Sequence, residues 1–120
     1  MQTEKDSKYS KTEDRIHAEC YMWFHNNYPK NRGLLCYNLN NSANAIQGNK
    51  NKAMGVQPGR ADFTLYYKGT AFFIEVKTPI GKQQKIQKDW MIQVLSNGFE
   101  YHIIRSLEEF QTLIKQIINA

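Results

Sequence analysis

The chain has 120 residues, 41% of them apolar, and a formal net charge of +5. That length suits one compact domain with its own core and leaves no room for a second. No apolar run approaches the ~18 residues of a membrane-spanning helix, and two cysteines without a CxxC pair or secretory leader point to a soluble protein of a reducing intracellular compartment, leaving a single Cys20–Cys36 disulfide open.

Residues 1–9 are polar and aperiodic and read as a flexible tail, so the domain is expected over residues 10–120. Ser10-Lys11-Thr12-Glu13 has the pattern of a capping box and opens a helix whose stripe is Ile16, Cys20, Trp23 and Phe24, ending near Asn27 before Pro29. Leu34 to Tyr37 reads as a short strand. Asn40 to Arg60 reads as loop, with one helical turn between Ala43 and Met54. The runs Phe63–Tyr67 and Ala71–Ile74 are aromatic and β-branched and flank Lys68-Gly69, a two-residue hairpin turn. Thr78-Pro79-Ile80-Gly81 ends the second strand. A helix follows from Gln83 to Ser96, with Ile86, Trp90, Met91, Val94 and Leu95 at helical spacing and Asn97-Gly98 as its stop. Glu100 to Ile104 is a strand. Ser106 and Glu109 form a second capping box, opening a helix with Leu107, Phe110, Ile114, Ile117 and Ile118 inward. The order α-β-β-β-α-β-α describes an α/β fold with a mixed central sheet flanked by helices.

Register counting from Lys68-Gly69 makes Leu65 face Phe72, Phe63 face Ile74 and Asp62 face Glu75. Alternation then puts Asp62, Thr64, Phe73, Glu75 and Lys77 on one face and assigns Phe63, Leu65, Tyr67, Phe72, Ile74 and Val76 to the core. Opposed carboxylates have Cβ atoms about 4.5–5.5 Å apart and repel, and a bound cation is the simplest offset. A hard ion such as Mg²⁺ fits carboxylate oxygens and bridges to phosphate. In metal-dependent phosphodiester hydrolysis Asp62 and Glu75 would hold the ion, with the Val76 carbonyl as a further ligand. Lys77 would orient the attacking water or stabilise charge at phosphorus.

Two more polar residues sit at helix borders. Glu19 lies between Ile16 and Trp23 and is a candidate for the acidic cluster, as catalytic residue or metal ligand, unless its carboxylate turns to solvent. Gln87 shares a column with Met91 and Val94, and its amide suits orienting a phosphate or a water. The charge distribution points the same way. No acid occurs between Glu19 and Asp62, a stretch that holds Lys50, Lys52 and Arg60, and Lys82, Lys85 and Lys88 follow the Glu-Val-Lys strand. These six are the candidate nucleic-acid contacts; a solvated lysine face is the bland alternative. Phosphate-loop, HExxH and GxSxG signatures do not occur, and Cys20, on the apolar stripe, reads as core.

Gly55-Val56-Gln57-Pro58-Gly59-Arg60-Ala61-Asp62, then Phe73-Ile74-Glu75-Val76-Lys77-Thr78-Pro79, Gly81-Lys82, Gln87, Trp90, Asn97-Gly98 and Ser106-Leu107-Glu108-Glu109-Phe110, together resemble the virus-type replication-repair nuclease family (VRR-NUC) of the PD-(D/E)xK nuclease superfamily. The resemblance covers residues 55–110 closely and the first helix more loosely. It implies a restriction-endonuclease-like core that cleaves DNA with Mg²⁺ or Mn²⁺, with Asp62, Glu75 and Lys77 as the catalytic set, Glu19 as the first-helix acid and Gln87 as the glutamine after the lysine. Small stand-alone members resemble Holliday-junction resolvases, which implies a homodimer on branched DNA, of phage or mobile-element type, in DNA repair in a bacterial or phage-infected cytoplasm. One departure is Ala61, where the family has proline, which leaves the backbone angle of Asp62 less fixed. The rival expectations are a non-cleaving DNA-binding module of the same fold and a nuclease for RNA or DNA ends.

Overall fold

The computed structural model describes residues 11–39 and 45–119. Its elements are α1 (Glu13–Asn27), a 3₁₀ turn (Pro29–Asn31), β1 (Leu35–Tyr37), α2 (Ala45–Ala53), β2 (Phe63–Tyr67), β3 (Thr70–Val76), α3 (Lys85–Ser96), β4 (Glu100–Ile104) and α4 (Leu107–Ile118). The strands form one sheet in the order β1-β2-β3-β4, with β1–β2 and β2–β3 antiparallel. The α/β architecture is the expected one, with one helix more. α2 runs for nine residues where a single turn was expected, because asparagines and a glycine dilute its apolar signal. The expectation for residues 40–44 lies outside the described residues, as does the tail over residues 1–9.

The chain divides into two compact units, each built from separated stretches. The first takes the described residues of Met1–Gly33, Val76–Lys82 and Ile103–Ala120. Its helix α1 is capped by Thr12, whose Oγ1 accepts from the Arg15 amide at 3.1 Å. This corrects the expected start: the cap must directly precede the first helical residue, Glu13, and Ser10 lies outside the described residues. Ile16, Cys20 and Phe24 are buried at four-residue spacing, and Trp23 meets Phe110 of α4 edge-on at 6.0 Å. On α4, Ser106 accepts from the Glu109 amide at 3.1 Å, while the Glu109 carboxylate reaches back to the Arg105 amide. Phe110, Leu113 and Ile114 are its buried residues, whereas Leu107, Ile117 and Ile118 are half-buried. The Arg105 guanidinium donates to the carbonyls of Thr78 and Gly81, at 2.8 and 2.6 Å, fixing the turn after β3.

The second unit takes Leu34–Glu75 and Gln83–His102. Its centre is the β2–β3 hairpin, paired Phe63↔Ile74, Leu65↔Phe72 and Tyr67↔Thr70 as the register count gave. Lys68 and Gly69 both have positive φ, 47° and 79°, the combination a type I′ turn needs. The expectation that only one face of the hairpin is core is corrected. Phe63, Leu65 and Ile74 are fully buried, and so are Thr64 and Glu75 from the other face, with Phe73 there largely buried. Trp90 and Phe99 meet Phe73 edge-on at 5.0 and 5.5 Å and cover that second face. Tyr67 and Phe72, assigned to the core, are half-buried because they lie near the hairpin tip.

Candidate active site

Glu75 sits second to last on β3, 1% exposed, so its carboxylate is held by protein groups within the second unit. Its Oε1 accepts from the Tyr101 hydroxyl of β4 and from the Gln83 amide at 2.9 Å. Burial first, and then the hydrogen bond to Glu75, push the Tyr101 phenol well above its usual range, so it acts as a donor at physiological pH. Gln83 is steadied in turn by Met91, whose sulfur lies 3.6 Å from its Nε2. Sequence reasoning missed both partners. The spacing that pointed to Gln87 does locate a polar residue near the helix start, but the Gln87 Oε1 accepts from the Gln84 amide at 2.8 Å and caps α3. Gln83, one residue before that cap, is the glutamine that reaches Glu75.

Asp62 is half-buried and lies one residue before β2, next to the pair Phe63↔Ile74. Its neighbourhood is set by Asn38, a buried residue that no sequence pattern singled out. The Asn38 amide N–H donates to the Asp62 carbonyl at 2.8 Å, and its side chain donates to the Ala61 carbonyl and to Thr64 Oγ1, at 3.1 and 2.7 Å. These bonds hold the backbone on both sides of Asp62. Gly59, at φ +83°, brings the approach to Asp62 against α3: a Cβ there would lie 2.6 Å from the Ile86 carbonyl oxygen.

In the first unit, Lys77 is 4% exposed, its Nζ 3.9 Å from Glu13 and its amide bonded to the Ile104 carbonyl. Glu19 receives the Lys11 ammonium on both oxygens at 3.0 Å and lies 3.8 Å from Arg15. Among the described residues no group of three or more His, Cys, Asp and Glu side chains is gathered to hold a metal. Within the first unit the Glu19 carboxylate, expected in an acidic cluster, is engaged by these neighbouring cations. Cys20 is confirmed as a core thiol, pushed up to about 12 chiefly by burial and then by Glu19 and Glu108. Of the basic residues, Lys50, Lys52, Lys82, Lys85 and Lys88 are exposed and Arg60 is half-buried; Lys85 pairs with Asp89 at 2.8 Å.

No protein-family model and no curated protein sequence matches the chain. Among solved structures, a VRR_NUC domain protein aligns with a TM-score of 0.76 over 92% of this chain and 90% of its own, at 20% identity. The two share a fold. No helix among the described residues is long and apolar enough to cross a membrane.

Proposed function

We propose that the protein is a Mg²⁺- or Mn²⁺-dependent DNA endonuclease. The observation that carries the reading is Glu75: an acid buried at the end of a central strand, oriented by Tyr101 and Gln83, with Asp62 in the chain just before Phe63, whose pair with Ile74 ends the hairpin register. A buried carboxylate held by directed hydrogen bonds is costly for folding alone and fits a site whose ligand geometry matters. The likeness in fold to a VRR_NUC domain protein supports the same reading.

The donor set fits the ion. Mg²⁺ keeps several waters and binds through one or two carboxylates plus substrate phosphate, so Asp62 and Glu75, with the Val76 carbonyl, suffice without a third acid. When bound, the cation would polarise the phosphoryl oxygen and neutralise charge that develops there. The chain's own residues do the rest. Tyr101 and Gln83 hold the Glu75 carboxylate in one orientation, and Asn38 fixes the backbone that presents Asp62. Lys77, two residues beyond Glu75 along the chain, supplies a positive donor for the water or the phosphate. Water attacks phosphorus, one P–O bond breaks, and the departing sugar oxygen takes up a proton. Arg60 and the lysines at 50, 52, 82, 85 and 88 are proposed to contact the DNA backbone. Branched DNA as substrate, a homodimer presenting two sites to two strands, and action inside the cell complete the proposal.

The test is cleavage of four-way junction, flap, linear duplex and RNA with Mg²⁺, Mn²⁺ or EDTA. Metal-dependent cutting, strongest on the junction and lost in Asp62→Ala and Lys77→Ala, is expected. Cutting that survives EDTA or Asp62→Ala would overturn the mechanism.

A further inference from the structure

The sheet face that carries Asp62 continues toward the hairpin tip as an open cleft of about 590 Å³ within the second unit. Alternation along β2 places Thr64 and Tyr66 in line with Asp62. Across the register Thr64 faces Phe73 and Tyr66 faces the small Ala71, and all four line the cleft. Phe99, packed edge-on against Phe73, forms a wall. Tyr66 and Phe99 remain 46% and 38% exposed, although both are aromatic and flank a concave surface. Cations frame this cleft. Arg60 and Lys68 line it, and no Asp or Glu among the described residues does.

Exposed aromatic rings in a groove framed by positive charge are what an unpaired nucleic-acid strand requires: π-faces for bases and cations for phosphates. A duplex hides its base faces in the stack and gains nothing from such rings. We infer that this cleft binds a short stretch of unpaired DNA strand, with a base stacked on Tyr66 beside Phe99 and the backbone met by Lys68 and Arg60. This rests on the nuclease reading and narrows it. Tyr66 lies four residues from Asp62, about 13 Å along the strand. A strand seated on Tyr66 is thus within a few nucleotides' reach of Asp62, so the enzyme would favour a cut close to a branch or frayed end, where unpaired bases exist.

The experiment measures binding of fluorescein-labelled oligo-dT and of a blunt duplex of equal length by anisotropy in EDTA. Tyr66→Ala is expected to weaken oligo-dT binding about 5- to 100-fold, with duplex binding changed less than about 2-fold. Tyr66→Phe keeps the ring and should restore binding, which separates stacking from a folding defect. Lys68→Ala is expected to lower the salt slope for oligo-dT by about 0.7, the share of one phosphate. Equal losses on both probes in Tyr66→Ala, unchanged oligo-dT binding, or a change in oligomeric state with binding intact would overturn the inference. Because binding is read without metal, the outcome is independent of cleavage. The nuclease reading stands on Asp62→Ala and the cleft on Tyr66→Ala.

Discussion

Glu75 and Glu19 are both carboxylates that spacing alone singles out, and their surroundings are opposite in kind. Glu75 is 1% exposed and accepts hydrogen bonds from neutral donors, the Tyr101 hydroxyl and the Gln83 amide. Glu19 keeps a side chain 30% exposed and is bonded by the Lys11 ammonium, with the Arg15 guanidinium beyond. A neutral donor fixes an oxygen in space and adds no positive charge, whereas an ion pair at the surface balances charge without fixing a geometry. The two acids thus separate orientation from neutralisation. Only the first is useful to a metal site.

The contrast breaks most sharply in activity. Glu75→Ala is expected to reduce metal-dependent cleavage on the order of 10³-fold, about 4 kcal/mol of transition-state stabilisation, measured as initial rates at saturating Mg²⁺. Tyr101→Phe removes one orienting bond and keeps the ring, so Mn²⁺ affinity by titration calorimetry should fall about 10- to 100-fold. Unchanged affinity would mean that the hydroxyl serves packing only.

A third outcome concerns pH. Tyr101 and Cys20 both bind their protons more tightly folded than unfolded, so the native state holds more protons once the unfolded groups begin to lose theirs. Their stabilisation is complete below the unfolded values, 9.0 for the thiol and 10.0 for the phenol, and is lost as pH rises, for Cys20 up to about 12. Urea midpoints should therefore decline above about pH 9, and Tyr101→Phe should flatten the part above pH 10. The smallest effect belongs to Glu19→Gln, expected to cost less than about 1 kcal/mol in denaturant unfolding and to change cleavage less than about 3-fold. A loss as large as that of Glu75→Ala would return Glu19 to the catalytic set.

The hairpin was legible because its two signals are local: period-two alternation and a turn pair that tolerates positive φ at both residues. The observed register ends at Phe63↔Ile74, and Asp62 and Glu75 are the residues just beyond that pair. The groups that hold them were not legible. Gln83 and Tyr101 lie eight and twenty-six residues from Glu75, and Asn38 lies twenty-three from Ala61, so only the folded chain brings them together. Gln87 illustrates the limit. Helical spacing located a glutamine near the helix start, but spacing alone does not separate a residue that caps a helix from one that reaches across to a strand. The second face of the hairpin was read as open because Thr64 and Glu75 are polar; Trp90 and Phe99, which cover it, sit at half-exposed positions whose partner on β3 no periodicity names.

Gly59 gives these separate holdings a common origin. It stands three residues before Asp62, and the carbonyl it touches belongs to Ile86, three residues after Gln83. The loop that delivers one carboxylate and the helix start that steadies the other are thus measured from a single point of main-chain contact. A side chain at that point would act as a wedge, shifting both acids' supports at once. The supports of both acids thus share a close main-chain approach at Gly59, a residue that contributes no functional group of its own.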